Sequence, residues 1–228
     1  MSLSSFETFL KSLNANPLVD FSIPKCAYVP IDLSIHNTEL NAVNVSSSYA
    51  LEHFIWNFIK HNDASVAYGG YLEQRGIYER SAYFKQSTAE TERNIHLGID
   101  IWMEALTPIY APIDGAIHSF KNNTNHGDYG PTIVLKHNVQ NDEFYTLYGH
   151  LSLESIDGLQ DGVEVKQGTQ IATLGTAEVN GDYPPHLHFQ IIKDIQGFIG
   201  DYPGVTNQLD LDFYRHNCPD PKVLLGLK

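Results

Sequence analysis

Basic residues are scarce in this sequence. Lys and Arg number 14 against 27 Asp and Glu, for a formal charge of −13. A nucleic-acid surface needs a basic footprint, and anionic membranes attract basic chains, so neither is expected as a partner. Cysteine is scarcer still: Cys26 and Cys218 stand far apart and form no C-x-x-C pair. That excludes a disulfide framework as the organising principle and disfavours a zinc–thiolate site, although one bridge between the two stays open. No apolar run reaches the roughly 18 residues that a bilayer-spanning helix needs. The N-terminus also lacks the continuous apolar block of a signal peptide. In MSLSSFETFLKSLN, Phe6, Phe9, Leu10 and Leu13 are spaced along one helix face, and Ser4 with Glu7 fits a capping box. Two expectations stay open: a cytoplasmic protein if the chain is complete, or an exported one whose signal is missing from this sequence.

What is present suits a globular protein. The 228 residues are 42% hydrophobic and 11% aromatic, enough for one large domain, or one domain plus an extension, with a sizeable core. The pattern changes along the chain. Over the first ~85 residues the spacing predicts, besides the N-terminal helix, a second helix over 49–61. There Leu51, Phe54, Ile55, Phe58 and Ile59 share a face and Ser48 can act as N-cap. Residues 14–46 read as irregular, with one strand near CAYVPIDL. From about residue 94 the text turns to short strands with turn signals: IHLGIDIW, IYAPIDGAIHSF, TIVLKH, EFYTLYGHL, VEVKQGTQIATLG and HLHFQII. Asp114-Gly115, Gln167-Gly168 and Asn180-Gly181 punctuate them. The expected organisation is a partly helical extension, 1–85, followed by a mainly β domain, 86–228, whose Pro- and Asp-rich tail after Phe198 wraps the surface.

Two segments carry the same alternation. In 95–101, Ile95, Leu97, Ile99 and Ile101 alternate with His96, Gly98 and Asp100. In 186–192, Leu187, Phe189 and Ile191 alternate with His186, His188 and Gln190. Successive side chains on a strand point to opposite faces, so each segment has an aliphatic face for a core and a polar face for a groove. Imidazole nitrogens and a carboxylate are suitable Zn²⁺ donors, and three protein ligands leave a fourth position for water. In a third segment Phe144, Thr146, Tyr148 and His150 are expected on one face, with His150 at the strand end. Singly, H-x-H, H-x-x-x-D and Y-G-H-L are weak signals among 11 histidines. Their joint occurrence on matched faces is much harder to obtain by chance.

His96-Leu97-Gly98-Ile99-Asp100, Tyr148-Gly149-His150-Leu151 and His186-Leu187-His188-Phe189 together resemble, in that order, the motifs of lysostaphin/LytM-type zinc metallopeptidases. Ala111-Pro112-Ile113-Asp114-Gly115 resembles that family's A-x-x-D-G turn. Val165-Lys166-Gln167-Gly168, with Ile171 and Gly175, resembles its V-K-x-G-x-x-I-x-x-x-G segment. The resemblance spans roughly residues 90–195. It implies an antiparallel β sandwich or barrel-like domain with a groove across one sheet, zinc on His96, Asp100 and His188, and His150 and His186 as non-ligating catalytic histidines. It also implies peptide substrates, the peptides of bacterial peptidoglycan being the family's usual ones. The approach to the H-x-H, Ala177 to Pro185, departs from the family's Gly/Ser/Thr-rich text, which bears on substrate preference. No H-E-x-x-H glutamate is present, so the general base must be another group, and His150 and His186 are the candidates, since imidazole titrates near neutrality.

His36, His53, His61, His118, His126, His137 and His216 read as surface or satisfied histidines. Tyr68, Tyr71, Tyr78 and Tyr83, with Arg75 and Arg80, read chiefly as packing and surface contacts, with groove lining as the minority reading. Three rival classes share features of the pattern. A phosphocarrier of similar fold pairs histidines but needs no Asp100 beside His96. A biotinyl carrier would place a lysine at a hairpin tip, absent here. A non-catalytic binding or regulatory module of the same fold typically loses ligands, and here all are present.

Overall fold

The computed structural model describes residues 3–84, 88 and 90–228. Its strands are β1 (Tyr28–Pro30), β2 (Val66–Gly69), β3 (Ile95–His96), β4 (Ile99–Trp102), β5 (Pro108–Tyr110), β6 (Gly115–Asn123), β7 (Gly130–Val139), β8 (Asp142–Gly149), β9 (Glu164–Val165), β10 (Gln170–Thr173), β11 (His186–Ile192) and β12 (Val205–Thr206). The α-helices are α1 (Ser5–Ser12), α2 (Ser48–His61), α3 (Leu211–Asn217) and α4 (Pro221–Leu225). Eight strands form one open sheet in the order β1-β2-β4-β11-β8-β7-β6-β9, antiparallel except for the parallel β1–β2 pair. The ribbons β5–β10 and β3–β12 complete a mainly β fold whose sheets are not closed into a barrel.

The period-2 pattern fixes what each face of the central strands does. Ile99, Ile101, Leu187, Phe189 and Ile191 enter the main core with Tyr148, Phe144 and Leu135, closed from below by Leu10 of α1 and by Leu224 and Leu225 of α4. The register pairs His188 with Asp100 and His186 with Trp102, so the polar residues of β4 and β11 are brought side by side on the opposite face. A second apolar cluster lies on that face. Leu51, Ile55 and Ile59 of α2 pack there with Leu33, Ile77, Ala67, Trp102 and Tyr183.

The helices follow their sequence signals. α1 starts at a capping box in which the Ser4 hydroxyl accepts from Glu7 N (3.1 Å) and Glu7 accepts from Ser4 N (2.8 Å). In α2 the cap is Ser47, one residue earlier than the spacing suggests, accepting from Ala50 N. Three other features differ from the sequence reading. The single strand expected through IHLGIDIW is broken at Leu97-Gly98, where Leu97 N donates instead to Gly204 O (2.9 Å) and Leu97 joins a different apolar cluster from Ile99. β2 was not legible: Val66, Ala67 and Tyr68 are buried on both faces, so they show no alternation. The tail after Phe198 does more than wrap the surface, since β12, Tyr202, Leu224 and Leu225 are buried. Cys26 and Cys218 are both free thiols.

Candidate metal centre

One donor atom each from His96, Asp100 and His188 converge, all lying within 4.8 Å of one another. Asp100 Oδ1 stands 3.3 Å from His96 Nε2 and 3.4 Å from His188 Nδ1, and those two nitrogens are 2.8 Å apart. Gly98, between the first two, is required sterically. A Cβ there would come within 2.6 Å of the His188 ring, which lies across it.

Outer partners fix which nitrogen of each imidazole faces inward. His96 Nδ1 is 3.0 Å from Gly70 O, an acceptor only, so Nδ1 carries the proton and Nε2 offers a lone pair. His188 Nε2 is 2.9 Å from Gln190 Oε1, with the Tyr129 hydroxyl at 3.3 Å, which leaves Nδ1 as the inward lone pair. Asp100 Oδ1 is buried without a hydrogen-bond partner among the described residues. Three acceptors thus face one point with no donor between them, and a buried set of this kind is satisfied by a cation. The donor set, two imidazoles and one carboxylate, suits zinc.

Arg75 was read from sequence as a surface or packing residue, and the structure places it here instead. It is 4% exposed, and its guanidinium grips Asp100 Oδ2 through Nη1 and Glu73 through Nε. This second anchor holds the carboxylate so that only Oδ1 faces the histidines. Arg75 and Gly70 belong to the turn after β2, whose backbone runs along the strand of His96. Leu72 N donates to His96 O (2.9 Å), His96 N to Glu73 O (3.0 Å), and Arg75 N to Asn94 O (2.9 Å). A side chain at Gly70, which has φ +104°, would strike both Arg75 and His96 Nδ1. No local signal marks Arg75, because it meets Asp100 only through the pairing of β2 with β4. Gln190 does carry one: it continues the polar face of His186 and His188.

His150 and His186 sit beside the three donors, their rings 4.2 Å apart between centroids. His150 was expected on the face of Phe144 and Tyr148, but those rings point into the core. The register puts Gly149 opposite His188, and His150 then takes φ +63°, which swings its imidazole across to the donors. Bonds from His150 N to Tyr129 O (2.8 Å) and from Gly175 N to His150 O (2.9 Å) hold this uncommon backbone. The loop 177–185 orients both rings. His150 Nδ1 donates to Asn180 O (2.8 Å) and His186 Nδ1 to Pro184 O (2.7 Å). Each ring therefore keeps its Nε2 lone pair free. His186 also stacks on Trp102, with centroids 4.1 Å apart.

Burial drives His96 and His186 down to about 4, outweighing the attraction of Asp100. Burial, reinforced by neighbouring His186 and His188, takes His150 well below the usual imidazole range. Burial works to raise Asp100, but the His96 imidazole and the Arg75 guanidinium prevail and hold its carboxyl well below the usual carboxylate range. His96, His150 and His186 are therefore neutral beside an ionised Asp100, the protonation states that a metal ligand and a proton acceptor require.

The sequence surrounding these residues has known counterparts. A 95-residue stretch is 32% identical to an uncharacterized metalloprotease of Haemophilus influenzae, covering 42% of this chain and 18% of that protein. A 98-residue stretch is 33% identical to the peptidoglycan DD-endopeptidase ShyA of Vibrio cholerae, covering 42% of this chain and 20% of that protein. The chain therefore spans at most about a fifth of the length of these curated relatives. A solved zinc containing peptidase from Vibrio cholerae aligns over 47% of this chain and 30% of its own, with 29% identity and a TM-score of 0.34. The family model of Peptidase family M23 matches residues 94–198, a stretch that takes in His96, Asp100, His150, His186 and His188.

Proposed function

We propose that the protein is a zinc-dependent peptidase, with the metal on His96, Asp100 and His188 and with His150 and His186 as its proton-handling groups. The observation that carries the reading is the convergence of three acceptor atoms whose inward orientation is set by outer hydrogen bonds, with Asp100 Oδ1 left unpartnered. Zinc bound there would supply Lewis acidity toward the scissile carbonyl and toward its own water, whose pKa falls to roughly 7.

The chain's own residues account for the proton movements. Hydrolysis adds water across the C–N bond, hydroxide to the carbonyl carbon and a proton to the departing amine. His150 and His186 are neutral, fixed through Nδ1, and present Nε2 toward the same space, so one can accept the water's proton and deliver it to the nitrogen. The other would stabilise the charge that develops on the carbonyl oxygen once its Nε2 has taken up a proton. Arg75 holds Asp100, and Gly70 O and Gln190 hold the ligand imidazoles, so little reorganisation is needed at the donors. By likeness to the relative named as a peptidoglycan endopeptidase, bacterial wall peptides are the substrate class we adopt.

The test is metal content and turnover together. His96→Ala, Asp100→Ala and His188→Ala should each remove most zinc by elemental analysis of purified protein, with loss of peptide hydrolysis. Full zinc occupancy in His188→Ala would overturn the ligand set.

A further inference from the structure

The surroundings of the histidines are unlike an open trough. His96, Asp100, His150, His186 and His188 are at most 5% exposed. They lie in a cavity of about 410 Å³, within the range of sites that enclose a drug-sized molecule. One wall comes from residues outside the family-matched stretch: Leu33, Leu40, Leu51 and Ile77, which stand over Trp102. The opposite wall is Pro203 to Val205.

Both walls are tied to the sheet that carries the site. Leu33 N donates to Glu73 Oε1 (3.0 Å) and Ile35 N to Gln74 O (2.9 Å). Further along the first wall, Arg80 Nη2 donates to Asp182 O (2.7 Å). On the other side Leu97 N donates to Gly204 O and Arg93 Nε to Val205 O, both at 2.9 Å. The enclosure is thus built from hydrogen-bonded backbone and a packed apolar cluster, not from a flap lying loosely over a groove.

We infer that the substrate is a short, soluble peptide with a bulky apolar side chain beside the scissile bond, rather than a strand of an intact cross-linked polymer. The inference rests on the peptidase reading above and departs from the wall-peptide substrate class adopted there. A polymer strand continues past the cut in both directions and needs room well beyond a cavity of about 410 Å³, whereas a short peptide is of a size with it. Desolvating an apolar side chain against Leu33, Leu40, Leu51 and Ile77 is favourable, whereas an ionised one set against those four would lose its water with nothing from them in return.

The experiment uses the zinc-loaded full chain. It is incubated with peptides of two to six residues bearing Leu or Phe, or Asp or Lys, beside the bond, and separately with intact insoluble peptidoglycan; products are read by mass spectrometry. Binding of the same peptides to metal-free full chain is measured by calorimetry, independently of turnover. Ile35→Lys and Leu40→Lys change the first wall at positions that are not fully buried, so the fold should survive, as circular dichroism and Tm will report. The expected result is hydrolysis of the apolar short peptides at a kcat/KM about tenfold or more above the charged ones, no release from the polymer, and about tenfold weaker apolar-peptide binding in Leu40→Lys at unchanged Tm. Release from the polymer with the short peptides spared, or unchanged peptide binding in both wall variants, overturns the inference while leaving the peptidase reading standing. No hydrolysis of either class by protein shown to hold zinc overturns both.

Discussion

Arg75 touches two carboxylates at once, Glu73 and Asp100, and nothing else fixes Asp100 Oδ2 so firmly. With that oxygen engaged, the carboxylate can offer a metal only Oδ1. Arg75→Met keeps much of the side chain's volume and removes the grip, so Asp100 gains freedom and Glu73 loses its cation. Zinc affinity should then fall by about 10- to 100-fold, the usual cost of deleting an outer partner of a metal ligand. Competition with a chromogenic chelator measures this. Arg75→Lys should recover only part of the loss, because an ammonium cannot reproduce the guanidinium's fork between two carboxylates. Equal affinity in wild type and Arg75→Met would show that Asp100 needs no second anchor. The auxiliary histidines should respond in the opposite sense. His150→Ala and His186→Ala should keep zinc and lose turnover by roughly 10²- to 10⁴-fold, as removal of a general acid–base group does. Loss of zinc in either would shift that histidine into the ligand set.

At the scale of elements, the notable member is β2. It lies between β1 and β4, with Gly69 paired to Asp100 and Ala67 to Trp102, and a Cβ at Gly69 would strike the Ile31 carbonyl. The turn after it supplies Gly70 O and Arg75. A chain starting at Thr88 would lose β2, the α2 wall and both outer partners. It would also expose the β4 edge and Trp102 to water, a template for association. We expect such a truncation to be zinc-poor and aggregated by size-exclusion chromatography; a monomeric, zinc-loaded truncation would show that β4 and its ligand hold their geometry unaided. The same element shows where sequence reading stops. The faces of His96, Asp100, His186 and His188 were legible because side chains alternate with period 2, and the two long helices because their apolar residues recur at 3.6. β2 carries no such period, being buried on both sides. Arg75 reaches Asp100 through a strand pairing that no local spacing encodes, and His150 reaches the donors through a positive φ that the alternation rule places on the wrong face. The loop 177–185, read as a determinant of preference, proves to hold the His150 and His186 rings through Asn180 O and Pro184 O.

At the scale of the whole molecule, burial of neutral histidines ties stability to pH. His137 of β7 makes the case away from the candidate metal centre. It is fully buried, its Nδ1 2.8 Å from Asp114 O and its Nε2 2.7 Å from the Thr146 hydroxyl, and Gly115 packs so closely that a Cβ there would meet the ring at 2.7 Å. Burial pulls this imidazole from 6.5 to about 4, with only the Asp114 carbonyl working the other way. In the unfolded chain the same ring takes a proton as pH falls through about 6.5. Between roughly pH 6.5 and 4 the unfolded state therefore binds more protons than the folded one, and stability declines as pH falls through that window. A shift of this size corresponds to about 3 kcal/mol by pH 4. Above pH 6.5 His137 contributes no pH dependence. His137→Gln retains a donor and an acceptor at the site but cannot titrate. Denaturant unfolding of both proteins, stripped of metal, at pH 7 and pH 4.5 isolates the contribution, because the other buried histidines are common to the two. The wild type should lose about 2 kcal/mol or more beyond what His137→Gln loses over that interval. Parallel losses would mean that His137 is already protonated in the folded protein, its charge carried by the Asp114 carbonyl and the Thr146 hydroxyl.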